Sequence, residues 1–88
     1  MYSIDIKEVA DKKFAKLSKK NPKQMEIISK KIEEIAQNPQ HYKNLRAPLN
    51  HLKRVHVDKS FVLIFSVDEN KKTIIIEDYN HHDKIYKR

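Results

Sequence analysis

Two Asn-Pro steps, at 21–22 and 38–39, constrain this chain more than any other feature. Proline has no amide hydrogen to donate and clashes inside a helix, yet suits a helix's first position, so each step ends one segment and permits another to begin. Before the first step, Val9, Ala10, Phe14 and Leu17 recur at helical spacing, while Lys12, Lys13, Lys16 and Lys19 fall largely on the other side. Glu8 and Asp11 stand in the first turn and lysines in the last, the polarity a helix dipole favours. Between the steps, Met25, Ile28, Ile32, Ile35 and Ala36 continue the same period. Asn21 is the expected N-cap, Pro22 the first helical residue, and Gln24 stands at the capping-box position. Two helices joined by so tight a turn form an antiparallel hairpin with one shared apolar face.

The rest of the chain changes period. Tyr2 to Lys7 alternates apolar and polar residues as a short strand does, whereas Gln40 to Asn50 has no period and reads as a loop. HLKRVHVD, FVLIFSV and TIIIED then follow as three strands rich in β-branched and aromatic residues. The short links at Asp58 to Ser60 and Asp68 to Lys72 predict an antiparallel meander. FVLIFSV is apolar on both faces, which makes it the central strand, covered by the helices on one side. The expected architecture is α+β: a strand, a helix hairpin, then a three-stranded antiparallel meander, forming one sheet packed on the helices. A single domain spans residues 1–88.

Composition narrows the function classes. A chain of 88 residues buries only roughly 60–65% of its unfolded surface, so its core is small. No apolar run approaches the roughly 18 residues a membrane span requires. The start, MYSIDIKEVADKK, lacks the apolar core of a signal peptide. There is no cysteine, hence no disulfide framework and no thiolate zinc site, and the expected compartment is the cytoplasm. With 19 Lys and Arg against 12 Asp and Glu, the net charge is +7, which favours a polyanionic partner: nucleic acid first, an acidic protein second. All five histidines, the side chains that titrate near neutral pH, lie beyond residue 40.

Two stretches carry groups suited to chemistry. In HLKRVHVD, alternation places Leu52, Arg54, His56 and Asp58 on one face and Lys53, Val55 and Val57 on the other. Arg offers phosphate a planar fork, Lys a point charge and His a proton, so this strand suits phosphate recognition. Its structural alternative is a solvent-facing strand paired across the sheet to acids such as Glu77 or Asp78. The second stretch is NHHDKIYKR, Asn80 to Arg88. Ile85 and Tyr86 are poor residues for a free tail, so it is expected to dock on the domain and bring His81 or His82 to the sheet edge. Nothing near the two histidines completes a metal-ligand spacing, and no metal or cofactor is expected.

Three pieces in this order resemble the RelE/ParE superfamily of toxins from toxin–antitoxin pairs: the Asn-Pro-terminated hairpin before LRAPL, then LKRVHVDKSFVLIFSVDENKKTIIIED, then HHDKIY. The resemblance implies a RelE-like fold and an RNA-cleaving toxin that acts on messenger RNA in the ribosome and is neutralised by a small RelB-like antitoxin. It matches Lys53 with a family lysine that contacts the scissile phosphate. His56 and His82 fall where the YafQ branch has histidines, and Tyr86 falls on the aromatic residue after the second of them. Some family positions are filled differently: RelE's arginine in the central strand falls at Val62 and a second lysine at Val55, and YafQ's acid and tryptophan at Ser60 and Phe61. The usual glycine before the C-terminal basic residue is Asn80. Those departures shift weight to Arg54 and Arg46. The ParE branch, which targets DNA gyrase, shares the fold without the nuclease residues and stands as one alternative; a catalytically degenerate toxin that only pairs with its antitoxin is the other.

The implied reaction deprotonates a 2′-hydroxyl, stabilises a phosphorane and protonates a 5′-oxygen. Imidazole, with an ordinary pKa near 6.5, suits either proton transfer. His82 is assigned as acid and His56 as base, with Lys53 and Arg54 stabilising phosphate charge and Tyr86 orienting or stacking on the RNA. Arg46, His81, Lys84, Lys87 and Arg88 complete the expected RNA-binding set. Strict alternation separates Lys53 from Arg54 and His56, so either a bulge intervenes or only one face serves the site.

Overall fold

The two central strands determine how everything else is placed. The computed structural model describes residues 1–82. In chain order the elements are β1 (Ser3–Ile6), α1 (Glu8–Lys20), α2 (Pro22–Gln37), a 3₁₀ turn (Pro39–His41), β2 (Lys53–Val57), β3 (Phe61–Asp68) and β4 (Thr73–His81). One mixed sheet runs in the order β1-β4-β3-β2. β2, β3 and β4 form the antiparallel meander, and β1 adds in parallel to β4, with Ile4 opposite Ile74 and Ile6 opposite Ile76. The α+β architecture read from the sequence is the one observed, and β3 is an inner strand as its apolar faces require.

The helices follow their signals. The Asn21 side chain accepts from the Gln24 amide at 3.2 Å, and Pro22 opens α2. Gln24 does not complete a capping box, however. Its side chain is buried and donates to the Tyr79 hydroxyl at 3.1 Å, linking α2 to β4 through the core. Burial won because this position falls one turn before Ile28 on the face turned to the sheet.

One sheet face packs on the helices: Phe14, Ile28, Ile32 and Ile35 meet Val57, Leu63, Phe65, Ile74, Ile76 and Tyr79. On the other face, Val62 and Ile64 are buried beneath Leu45 and Leu52. The region read as a plain loop is therefore a cover. After the 3₁₀ turn the chain rounds the β2 edge, with Tyr42 edge-on to Phe65 at 5.6 Å, and then crosses to the second face. β4 also runs to His81, past the sequence expectation of Asp78.

A bulge in β4 sets the orientation of the described residues that follow it, Asp78 to His82. Ile64 stands opposite Asp78 but Phe65 opposite Ile76, so Glu77 is the extra residue. Ile74 and Ile76, both even-numbered, are buried against the helices, and so is odd-numbered Tyr79. Past the bulge, odd residues face the helices and even ones face away.

Candidate functional site

The parity shift decides which terminal histidine meets β2. His81 pairs with Phe61, a strand neighbour of core residue Leu63, and its ring lies edge-on to Phe61 at 5.5 Å. It lines a cleft of about 270 Å³ on the α1 side with Lys13, Lys16, Leu17 and Lys20. His82 goes to the opposite face. Its amide donates to the Ser60 carbonyl at 2.7 Å, and its ring stacks on that of His56, centroids 5.8 Å apart and planes 26° apart. Of the two terminal histidines, His82 therefore meets His56, and His81 meets Phe61.

Register builds the rest of that face. His56 stands opposite Val62, which stands opposite Asn80; Arg54 stands opposite Ile64, which stands opposite Asp78. Arg54 and His56 are exposed, and His82 is half-buried. Leu45 and Leu52 seat beside them on Val62 and Ile64, so the 42–52 segment forms a wall of the site. Arg46 lies exposed in that wall, its carbonyl accepting from the Leu49 amide at 2.9 Å.

The two acids weighed as structural partners for this strand each also hold a lysine from the first half of the chain. Glu77 pairs with Lys7 at 2.7 Å and accepts from the Ser66 hydroxyl at 2.6 Å. Burial pushes its carboxyl up, but the bonds from Lys7 and Ser66 outweigh burial and hold it below the usual glutamate range. Asp78 pairs with Lys13 at 2.7 Å, and the same ammonium donates to the Tyr79 carbonyl at 3.0 Å. Lys13 thereby covers the stretch of β4 edge that β1 is too short to reach.

Lys53 is placed differently from the rest of the anticipated set. Its strand position, opposite Phe65, is on the helix-facing side, and no bulge in β2 turns it round. Its ammonium donates to the Tyr42 carbonyl at 2.9 Å and to Asn44 Oδ1 at 2.6 Å. The structure thus unites His56 and His82 on a face shared with Arg54, and leaves Lys53 and His81 on the other. Tyr86, Lys84, Lys87 and Arg88 lie outside the described residues. Among the described residues, no group of three or more His, Cys, Asp or Glu is placed to hold a metal ion, and no helix is long and apolar enough to cross a membrane. The wall formed by residues 42–52 was missed from sequence. Its signal was the paired demand of FVLIFSV for cover on two faces and the leucines at 45, 49 and 52.

Comparison with known proteins gives the family of the chain. The family model of the ParE toxin of type II toxin–antitoxin systems, parDE, matches residues 4–86. A Methanocaldococcus jannaschii protein named "Putative toxin RelE4" is 61% identical over 88 residues, covering 100% of this chain and 94% of that one. An uncharacterised Methanosarcina mazei protein is 60% identical over 86 residues, covering 98% and 100%. The toxin–antitoxin complex RelBE2 of Mycobacterium tuberculosis contains a chain of the same fold, with a TM-score of 0.77 and 18% identity over 92% of this chain and 98% of that one. On the family match, with a 61% identical relative named as a RelE toxin, the chain belongs to the ParE toxin family of type II toxin–antitoxin systems, within the RelE/ParE superfamily.

Proposed function

We propose that this toxin is an endoribonuclease that cleaves messenger RNA on the ribosome and so inhibits translation. The observation that carries the reading is the facing pair His56 and His82, stacked at 5.8 Å on a face shared with the Arg54 position. In this reading a single phosphodiester contacts both rings. In the proposed reaction one imidazole, His56, takes the proton of the 2′-hydroxyl as that oxygen attacks the adjacent phosphorus. The 5′-oxygen bond breaks, and the other imidazole, His82, gives the leaving oxygen its proton. The products are a 2′,3′-cyclic phosphate and a 5′-hydroxyl. Arg54 is assigned to the extra charge on the phosphorane, for which a planar fork of donors is well suited. Arg46, on the wall, and the basic C-terminal residues Lys84, Lys87 and Arg88 are assigned to the RNA backbone, and Tyr86 to a base or ribose. The net charge of +7 supports such a polyanionic substrate.

The toxin's partner in the cell is proposed to be a small RelB-like antitoxin that covers the basic surface. Support comes from the family description and from the toxin–antitoxin complex among chains of the same fold. A second reading, a toxin directed at DNA gyrase, is favoured by one observation: the family model that matches is that of ParE. Inducing the protein in cells and mapping RNA ends separates the two. Cleavage within translated codons, with DNA intact, is the expected result. Intact messenger RNA accompanied by DNA damage contradicts the nuclease reading.

A further inference from the structure

The anticipated role of Lys53 was to touch the scissile phosphate, yet its ammonium is occupied on the far side of β2. It donates to the Tyr42 carbonyl at 2.9 Å and to Asn44 Oδ1 at 2.6 Å. Asn44 in turn donates through its side-chain nitrogen to the Asn50 carbonyl at 2.6 Å, and its backbone bridges Lys53 at the outer edge of β2. The Leu45 amide donates to the Leu52 carbonyl at 2.8 Å and the Leu52 amide to that of Leu49 at 2.9 Å. Lys53, Asn44 and Asn50 therefore form a continuous chain of bonds that closes the 42–52 segment on itself. The underside of the closed segment, Leu45 and Leu52, rests on Val62 and Ile64, and these are the cross-strand neighbours of His56 and Arg54.

From this we infer that Lys53 is a positioning residue: it clamps the 42–52 wall beside the histidine pair and acts on the substrate only through that wall. A lysine suits the task because one ammonium has three donors and needs only carbonyl acceptors, which Tyr42 and Asn44 provide. Hydrogen bonds to a charged group are the stronger kind, and these two tie together residues 11 and 9 positions apart. The wall would then be held in place before substrate arrives, with Arg46 fixed in its exposed position.

The inference rests on the nuclease reading only for its kinetic part, so the test has two arms. The first is amide hydrogen exchange in Lys53→Ala, Lys53→Arg and Asn44→Ala, with the Ile64 amide of β3 as internal reference. Lys53→Ala and Asn44→Ala are expected to speed exchange at Leu45 and Leu52 by about tenfold or more relative to Ile64. Lys53→Arg, which keeps a charged donor, restores most of the protection. The Lys53→Ala/Asn44→Ala double variant is expected to exchange about as fast as either single one, since both cut the same chain. The second arm is cleavage of messenger RNA programmed into ribosomes. There, Lys53→Ala and Asn44→Ala raise KM by roughly tenfold while kcat changes by less than about threefold, and Lys53→Arg recovers KM. Loop exchange at the wild-type rate in Lys53→Ala overturns the clamp. So does a fall in kcat of about 10³-fold in Lys53→Ala that Asn44→Ala does not share, since it would put the ammonium on the reacting phosphate. A wild-type protein that cuts no RNA refutes the nuclease reading, and the exchange arm still decides the clamp.

Discussion

At the scale of single residues, the absence of glycine has a definite consequence. Two turn residues, Asp58 and Lys72, hold φ values of 58° and 50°, the left-handed region. Asp tolerates this conformation through local side-chain hydrogen bonding, whereas Lys has no such compensation, and the conformation costs an L-residue roughly 1–2 kcal/mol. Lys72 earns its place through Glu69, which it meets at 3.3 Å and which also accepts from the Tyr2 hydroxyl at 2.7 Å and from Gln40. Both Lys72→Gly and Lys72→Ala remove that ion pair, so their difference reports the backbone alone. We expect Lys72→Gly to be more stable than Lys72→Ala by about 0.5–1 kcal/mol in urea unfolding, the relief of strain exceeding glycine's extra chain entropy. An alanine variant as stable as the glycine one would show that this turn carries no strain. The same scale governs the site, where a change of one residue in parity exchanges His81 for His82.

At the scale of elements, the bulge at Glu77 is what connects sequence to chemistry. It allows Ile74, Ile76 and Tyr79 to share one core, and it turns His82 toward His56. Lys7 and Ser66 hold the bulged carboxylate, and because its folded pKa is depressed it stabilises the fold above the ordinary glutamate range near 4.3. That contribution is lost as pH falls through the lowered folded value, when the carboxyl takes up a proton. Urea unfolding followed from neutral pH down to about pH 3 is expected to show a steeper loss of stability in the wild type than in Glu77→Gln. Parallel curves would mean that the carboxylate does not hold the bulge.

Much of this was legible in the sequence, and the exceptions share a cause. The Asn-Pro steps, the helical period and the alternating strands are local signals, and local geometry obeyed them. Which strand β1 joins, where β4 bulges and what covers the second face of β3 depend on contacts between residues far apart in the chain. Glu77 has nothing in its neighbourhood to mark it as a bulge. Gln24 fits a capping box as well as it fits the core, and only the position of Tyr79 decides between them. Both the charge of the strand and the resemblance direct Lys53 to a phosphate, while alternation places it on the other face of β2 from His56.

At the scale of the whole molecule, a small core and a thin sheet carry a strongly basic surface. One face of the sheet is committed to the helices, and part of the other lies beneath the 42–52 wall. Among the described residues, Arg54 and His56 are exposed on that face, with half-buried His82 beside them. The proposed nuclease activity requires the two stacked histidines to act together on one RNA phosphate. The most direct measurement is single-turnover cleavage of ribosome-bound messenger RNA by purified wild-type protein, His56→Ala, His82→Ala and the double variant, with folding checked by circular dichroism. Each single variant is expected to lose roughly 10²–10⁴-fold in rate while remaining folded, and the double variant to be little worse than either, because paired groups fail as a unit. Cleavage at the wild-type rate by both folded single variants would contradict that requirement.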